Sequence, residues 1–176
     1  MSPNPNTVAS NYLPEETQKT VDAFSKLGTD EKLAFLYYVY TKMGDSVTPA
    51  APAATEPELA PQLLGDVYEM SKDEQLGVMR AIVNREDTEL SRAYGALKEN
   101  NQLMVWFAWA QAMGTTIIGM PDDYQIPQAI NQLLSQIENL DFQEQISMLR
   151  EVAGNMGHSD VKAIPTQAET GKTASL

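Results

Sequence analysis

Between Lys26 and Pro52 the chain reads KLGTDEKLAFLYYVYTKMGDSVTPAAP. Leu33, Leu36, Tyr37, Tyr40 and Met43 recur there at helical spacing and share one wide face. Aromatic rings and thioethers do little acid–base work at neutral pH. They offer area, polarizability and flat surfaces, so such a face can grip a long, flat, polarizable ligand as well as fill a core. A second group of the same kind is Leu103, Trp106, Phe107, Ala110 and Met113, with Met104 beside it. Trp109 is expected to turn away from Trp106 and Phe107 and serve a different surface. Met79, Met120, Met148 and Met156 complete a chain rich in sulfur, with nine methionines. Spacing alone describes a helical bundle and goes no further, because a stripe of this kind is also ordinary core.

Chemistry that needs proton transfer or metal ligation is not written in the chain. His158 is the sole histidine and follows the last expected helix, where exposure is expected. There is no cysteine, which excludes disulfides and thiolate metal sites and permits a reducing compartment. Asp122 and Asp123 sit in a turn, where aspartate is expected for structural reasons. No glycine-rich phosphate loop exists, and no Asp/Glu pair is placed for general acid–base work. The expectation is a protein that is not an enzyme and holds no metal.

The formal net charge is −12, from 24 acidic and 12 basic residues among 176. Phosphate binding is driven by Lys and Arg, so nucleic acid and anionic membrane surfaces are poor partners. No apolar run reaches the ~20 residues needed to span a bilayer. The opening MSPNPNTVASNYLPEE lacks the basic start and apolar core of a secretory signal. A soluble protein of an intracellular compartment is expected.

The elements that must position the apolar groups are all helical. Helices are expected over 15–27, 30–43, 58–70, 72–85, 89–99, 102–116, 127–140 and 143–155. Gly44 is the expected stop of the second. Pro49, Pro52, Pro57 and Pro61 then mark a long irregular crossing. No strand-length alternation of β-branched residues occurs, so the fold class is all-α. Three windows share one plan: KLGTDEKLAFLYYVYTKMG, EMSKDEQLGVMRAIVNRED and NLDFQEQISMLREVAGNMG. Each has a break, then a helix with Glu near its third residue: Gly28 with Glu31, Ser71 with Glu74, Asp141 with Glu144. The last two fit capping boxes. Leu33, Leu76 and Ile146 then open each buried face, which suggests related hairpins around a shared centre. Generic helical hairpins share much of this pattern.

Several segments in order carry a resemblance. They are FSKLGTDEKLAF from Phe24, Tyr40 with the Met-Gly after it, TPAAP, and NREDT from Asn84. Leu103, Trp106 and Phe107 follow in an L-x-x-WF pattern, then MPDDYQ and QISMLREVAGNMG. Over roughly residues 20–157 the chain resembles the N-terminal domain of the orange carotenoid protein, and more closely the free-standing helical carotenoid proteins of cyanobacteria.

The resemblance implies two discontinuous four-helix bundles around a ligand tunnel. It implies an N-terminal arm over 1–18, a carotenoid-binding domain over 19–157, and a disordered, linker-like tail over 158–176. The implied cofactor is a noncovalent keto-carotenoid such as canthaxanthin or echinenone. Carried onto matching positions, the tunnel is lined by Leu33, Leu36, Tyr37, Tyr40, Met79, Val83, Leu103, Trp106, Phe107, Ala110, Met113, Met120, Tyr124, Ile146 and Met156. Tyr40 and Trp106 are the expected contacts to one end ring. Tyr37 stands where the family's Trp is, and Phe107 where its Tyr is. Asn100 and Arg150 match a partner-facing, switching surface; the regulatory C-terminal domain of the two-domain relatives is expected to be absent. The implied function is photoprotection by quenching singlet oxygen through the pigment. The alternatives are docking to the phycobilisome antenna as an excitation quencher, and exchange of pigment with homologues of the missing domain. The implied location is cytoplasmic, near the thylakoid membrane or the phycobilisome.

Overall fold

The computed structural model describes residues 13–43 and 59–159. The expected Gly44 stop and most of the proline-rich crossing lie outside the described residues, as do most of the expected arm and tail. Eight helices are present among the described residues: α1 Glu15–Ser25, α2 Thr29–Met43, α3 Leu59–Tyr68, α4 Lys72–Val83, α5 Glu89–Gly95, α6 Glu99–Ala112, α7 Gln128–Glu138 and α8 Phe142–Gly154. The fold class is all-α, and only an isolated bridge between Met113 and Ile117 has β character among them. Pro61, expected in the irregular crossing, falls in the first turn of α3, where a missing N–H leaves no helical bond unmade.

Four hairpins repeat one design. In α1–α2, α3–α4, α5–α6 and α7–α8 a short break is followed by a helix whose fourth and fifth residues do fixed jobs. The fifth is Leu33, Leu76, Leu103 or Ile146. The fourth is a buried glutamine in three copies. Gln75 Nε2 donates to the Val67 carbonyl (3.0 Å), Gln102 Nε2 to that of Tyr94 (3.1 Å), and Gln145 Nε2 to that of Ile137 (3.0 Å). Each acceptor belongs to the end of the preceding helix, whose last carbonyls lack helical partners. A single side chain therefore closes each hairpin. In the first copy Lys32 replaces glutamine, and its ammonium lies over the Phe24 ring at 5.6 Å, keeping the same eight-residue reach. Full capping boxes form at Ser71/Glu74 and Asp141/Glu144, while Gly28 N–H alone bonds Glu31 Oε1 at 2.9 Å.

The sixth helix starts at Glu99, earlier than expected, and stops at Ala112 instead of running to Thr116. Its polar first turn reads as loop in sequence, although the N–H groups of a first turn need no helical partner. Its stop comes from Gly114, whose φ of 88° is left-handed. Gly114 N–H bonds the Ile117 carbonyl (2.8 Å), and a Cβ at Gly119 would sit 3.0 Å from the Gly114 Cα. The fifth helix ends at Gly95 instead of Glu99.

Helices α3 to α6 pack on one another. Helix α1 packs on α7 and α8, and α2 on α7, so the second group joins the first two helices to the last two. Helix α2 also packs on α4 and α6, and α6 on α8, which joins the groups. At the seam where α2 meets α6, Leu36, Trp106 and Trp109 come together, all buried. Faces of α2 and α6 that carry aromatic side chains meet, with Tyr40 edge-on to Phe107.

Candidate functional site

A cleft of about 230 Å³ opens along this seam. Helix α2 supplies Leu33, Ala34, Leu36 and Tyr37; α4 supplies Leu76 and Met79; α6 supplies Trp106, Trp109 and Ala110. The turn after α6 closes one side with Met113, Ile118, Gly119, Met120, Pro121 and Tyr124. That turn is pinned by Gln75, whose Nε2 donates to the Thr116 carbonyl (2.8 Å) and whose Oε1 accepts the Ile118 N–H (2.8 Å). Asp30 and Arg80 are the charged residues of the lining. They pair bidentately at 2.8 and 2.9 Å with both side chains largely in solvent, so they form a rim.

Nine of the fifteen residues expected to line a tunnel meet in this cleft: Leu33, Leu36, Tyr37, Met79, Trp106, Ala110, Met113, Met120 and Tyr124. Val83 and Met156 line a separate cavity of about 60 Å³ with Phe24, Lys32 and Val152. Val83 follows Met79 by one turn of α4, so the two hollows share one face of that helix. Tyr40, Leu103, Phe107 and Ile146 line neither hollow. Tyr40, Leu103 and Ile146 are buried; Phe107 is half-buried, with its ring edge-on to Tyr40 at 5.6 Å. Asn100 and Arg150 are brought together, with Arg150 Nε donating to Asn100 Oδ1 at 3.1 Å across α6 and α8.

The expectation for Trp109 is corrected. Its ring meets Trp106 edge to face, with centroids 5.1 Å apart and planes at 86°, and both line the cleft. Residues three apart on a helix are neighbours on its surface, and that spacing was the available signal. His158 is also not fully exposed: its side chain is half-buried with Nε2 3.8 Å from Asp87 Oδ1. No local pattern in the sequence marks Tyr94, whose partners are distant in the chain. It is fully buried on α5, accepts the Trp106 indole N–H (2.8 Å) and donates to the Ala153 carbonyl (2.7 Å).

The electrostatics are those of an apolar site. Burial pushes the Tyr40 hydroxyl far above the usual phenol range, and its oxygen has no hydrogen-bond partner. The Trp109 Nε1 is likewise buried and unpartnered. At the lip, burial raises Tyr124, with Tyr38, Glu31 and Asp30 adding to the shift. Among the described residues no three His, Cys, Asp or Glu side chains gather to hold a metal, and no helix is long and apolar enough to cross a membrane. Such a lining can bind through contact area and polarizability.

Comparison with known proteins shows the family. The family described as "Orange carotenoid protein, N-terminal" matches residues 10–159. An orange carotenoid-binding domain-containing protein of Nostoc sp. (strain PCC 7120) is 40% identical over 139 residues, covering 78% of this chain and 81% of that relative. The orange carotenoid-binding protein of Synechocystis sp. is 32% identical over 154 residues, covering 87% of this chain, which spans 47% of that relative's length. In three dimensions the chain is similar to the Red Carotenoid Protein of Anabaena (Nostoc) sp. PCC 7120, solved binding canthaxanthin. The TM-score is 0.73 at 33% identity, covering 81% of this chain and 99% of that one. The chain therefore belongs to the family of the orange carotenoid protein N-terminal domain.

Proposed function

We propose that the protein binds a keto-carotenoid noncovalently in the seam between its helix groups and protects against light damage by quenching singlet oxygen. The observation that carries this reading is the cleft lining, built from aromatic rings, methionines and aliphatic side chains with its charged pair at the rim. A hydrocarbon polyene offers nothing to hydrogen-bond along its length. Its retention depends on apolar burial, at about 25 cal/mol per Å², and on dispersion contacts.

The residues fit such a group. Tyr37, Trp106 and Trp109 supply flat walls, and Met79, Met113 and Met120 supply side chains that repack around an irregular outline. The cleft of about 230 Å³ lies below the ~300–1,000 Å³ of drug-sized sites. A polyene roughly 30 Å long, the length of a ~20-residue helix, requires the seam to open further. The core contact of Tyr40 with Phe107 and the small cavity at Val83 and Met156 are the places where this chain would extend it. The orphaned Tyr40 hydroxyl and Trp109 N–H would gain from an oxygen-bearing end group.

When bound, the polyene supplies a low triplet state that takes the excitation of singlet oxygen and releases it as heat. The protein's part is to solubilise it, fix its shape and keep other reactions away. No side chain gains or loses a proton in this scheme. The test is the lifetime of singlet-oxygen emission with pigmented and pigment-free protein across pH. The reading expects quenching by the pigmented form with a flat pH profile. A bell-shaped profile, or equal quenching by both forms, contradicts it.

A second reading is a partner surface for the antenna or for a pigment-exchanging domain at Asn100 and Arg150, the positions that the family resemblance assigns to such a surface and that one hydrogen bond brings together. Co-sedimentation with phycobilisomes and loss of their fluorescence would support the first partner. A spectral shift on mixing with a C-terminal-domain homologue would support the second. Loss of neither response in Arg150→Ala would remove the surface from consideration.

A further inference from the structure

Trp106 lines the cleft, but the atom that orients it lies behind the wall. Its indole N–H donates to the Tyr94 hydroxyl at 2.8 Å, and that hydroxyl donates onward to the Ala153 carbonyl on α8 at 2.7 Å. The Tyr94 and Trp106 rings meet edge to face, 6.0 Å apart at 64°. Tyr94 has no exposed surface. It therefore holds Trp106 from α5 while being held by α8, a helix of the other group. Gln102 Nε2 caps the Tyr94 carbonyl from α6 and fixes the backbone beneath the ring.

Tyr94 is also braced from its other side. After α8 the chain crosses the ends of α4 and α5, with Gly157 N–H on the Ile82 carbonyl (2.8 Å) and His158 N–H on the Ser91 carbonyl (3.1 Å). Gly157 adopts φ 80°, and a Cβ there would lie 2.6 Å from Tyr94 Cδ1. A Cβ at Gly95 would overlap the His158 carbonyl oxygen. The strap thus lies directly on the tyrosine ring, and two positions without a side chain permit that approach.

We propose that Tyr94 is a positioning residue: clamped between the 157–158 strap and the Ala153 carbonyl, it sets the plane of the Trp106 indole against the bound pigment and so tunes its colour. This rests on the reading that the cleft holds a carotenoid with Trp106 in its wall. Without this bond the indole is held by packing alone, and a flat wall that tilts changes how it meets a polyene. A purely structural tyrosine would affect stability and leave the pigment spectrum alone.

The test uses Tyr94→Phe, which keeps the ring and removes both hydroxyl bonds. In pigment-free protein the Trp106 indole proton, followed by NMR, is expected to exchange at least ~100-fold faster in the variant than in the parent. In pigment-loaded protein the variant is expected to keep its pigment with a displaced visible band. The displacement is expected to vanish when Tyr94→Phe is made in a Trp106→Phe background, since the two residues act as a pair. Equal indole exchange in parent and variant, or superimposable spectra of the loaded forms, overturns the proposal. If the variant does not fold, fast exchange of the Trp106 indole proton in the unaltered protein still overturns it. A parent that takes up no pigment overturns the function on which it rests; a pigmented parent indifferent to Tyr94→Phe overturns this inference alone.

Discussion

Trp106 and Trp109 meet edge to face at 5.1 Å and 86°, one turn of α6 presenting both indoles to the same cleft. Edge-to-face pairs favour the contact of a positive ring edge with a negative face and add about 0.5–1.5 kcal/mol beyond area burial. Two perpendicular indoles also make a corner in the cleft wall. The geometry makes this pair the rigid part of the wall and leaves the methionines as the adaptable part.

Trp106→Ala removes one arm of that corner and leaves the Tyr94 hydroxyl without its donor. Loss of a buried tryptophan is expected to cost about 3–5 kcal/mol. Pigment per protein after purification is expected to fall well below that of the parent. Denaturant midpoints and the ratio of visible to protein absorbance check the two parts. Pigment retention equal to the parent would remove Trp106 from the site.

Gln75 and Gln145 hold matching places in their hairpins, yet their bonds differ in number. Gln145 serves the Ile137 carbonyl, while Gln75 serves Val67, Thr116 and Ile118 together. Each buried polar group left unpaired costs about 1–3 kcal/mol. Gln75→Leu is therefore expected to destabilise more than Gln145→Leu, and to loosen the turn that closes the cleft. Urea unfolding compares the stabilities; limited proteolysis near Thr115 and Thr116 reports the turn.

Arg85 follows the C-cap of α4 with φ 60°, the left-handed conformation usual for glycine. Glu86 N–H bonds the Ala81 carbonyl and Arg85 N–H that of Ile82, the two bonds of a Schellman turn. Arg85→Gly is expected to stabilise by about 0.5–1 kcal/mol, since relief of the strain exceeds the entropy added to the unfolded chain. Thermal unfolding of both proteins decides it; a lower midpoint for the variant contradicts the backbone argument.

Burial raises the hydroxyls of Tyr40 and Tyr94 above the ordinary phenol range. Their neutral forms are favoured in the fold, so this contribution is complete below the unfolded value of about 10 and declines above it. Stability is expected to fall above about pH 10, each tyrosine adding a slope near 1.4 kcal/mol per pH unit until its folded value is reached. Tyr40→Phe removes an unpartnered hydroxyl, so it is expected to leave neutral-pH stability within about 1 kcal/mol and to flatten the alkaline decline. Denaturant titrations between pH 8 and 12, as an approximate range bracketing the phenol value, measure both effects.

The helical framework was legible because the physics that builds it is local. Leu33, Leu36 and Tyr37 recur at the period of a helix, and Ser71/Glu74 and Asp141/Glu144 are cap pairs whose partners lie three residues apart. The α5–α6 hairpin was hidden because Lys98 makes no side-chain cap and Asn101 replaces the glutamate, although Gln102 then does the same work as Gln75 and Gln145. The role of Tyr94 has no local signal at all: its partners are 12 and 59 residues away. The place of Trp109 is legible locally, since a spacing of three puts it beside Trp106. The stop of α6 at Gly114 needed the turn geometry of Gly119, which only the folded chain supplies.

The central claim is tested most directly by a visible absorption spectrum of the protein purified from cells that make keto-carotenoids, with pigment measured against protein. The account predicts an orange-to-red band at a stoichiometric ratio that survives size-exclusion chromatography. A well-folded, colourless protein, or pigment lost on the column at trace ratio, would contradict it.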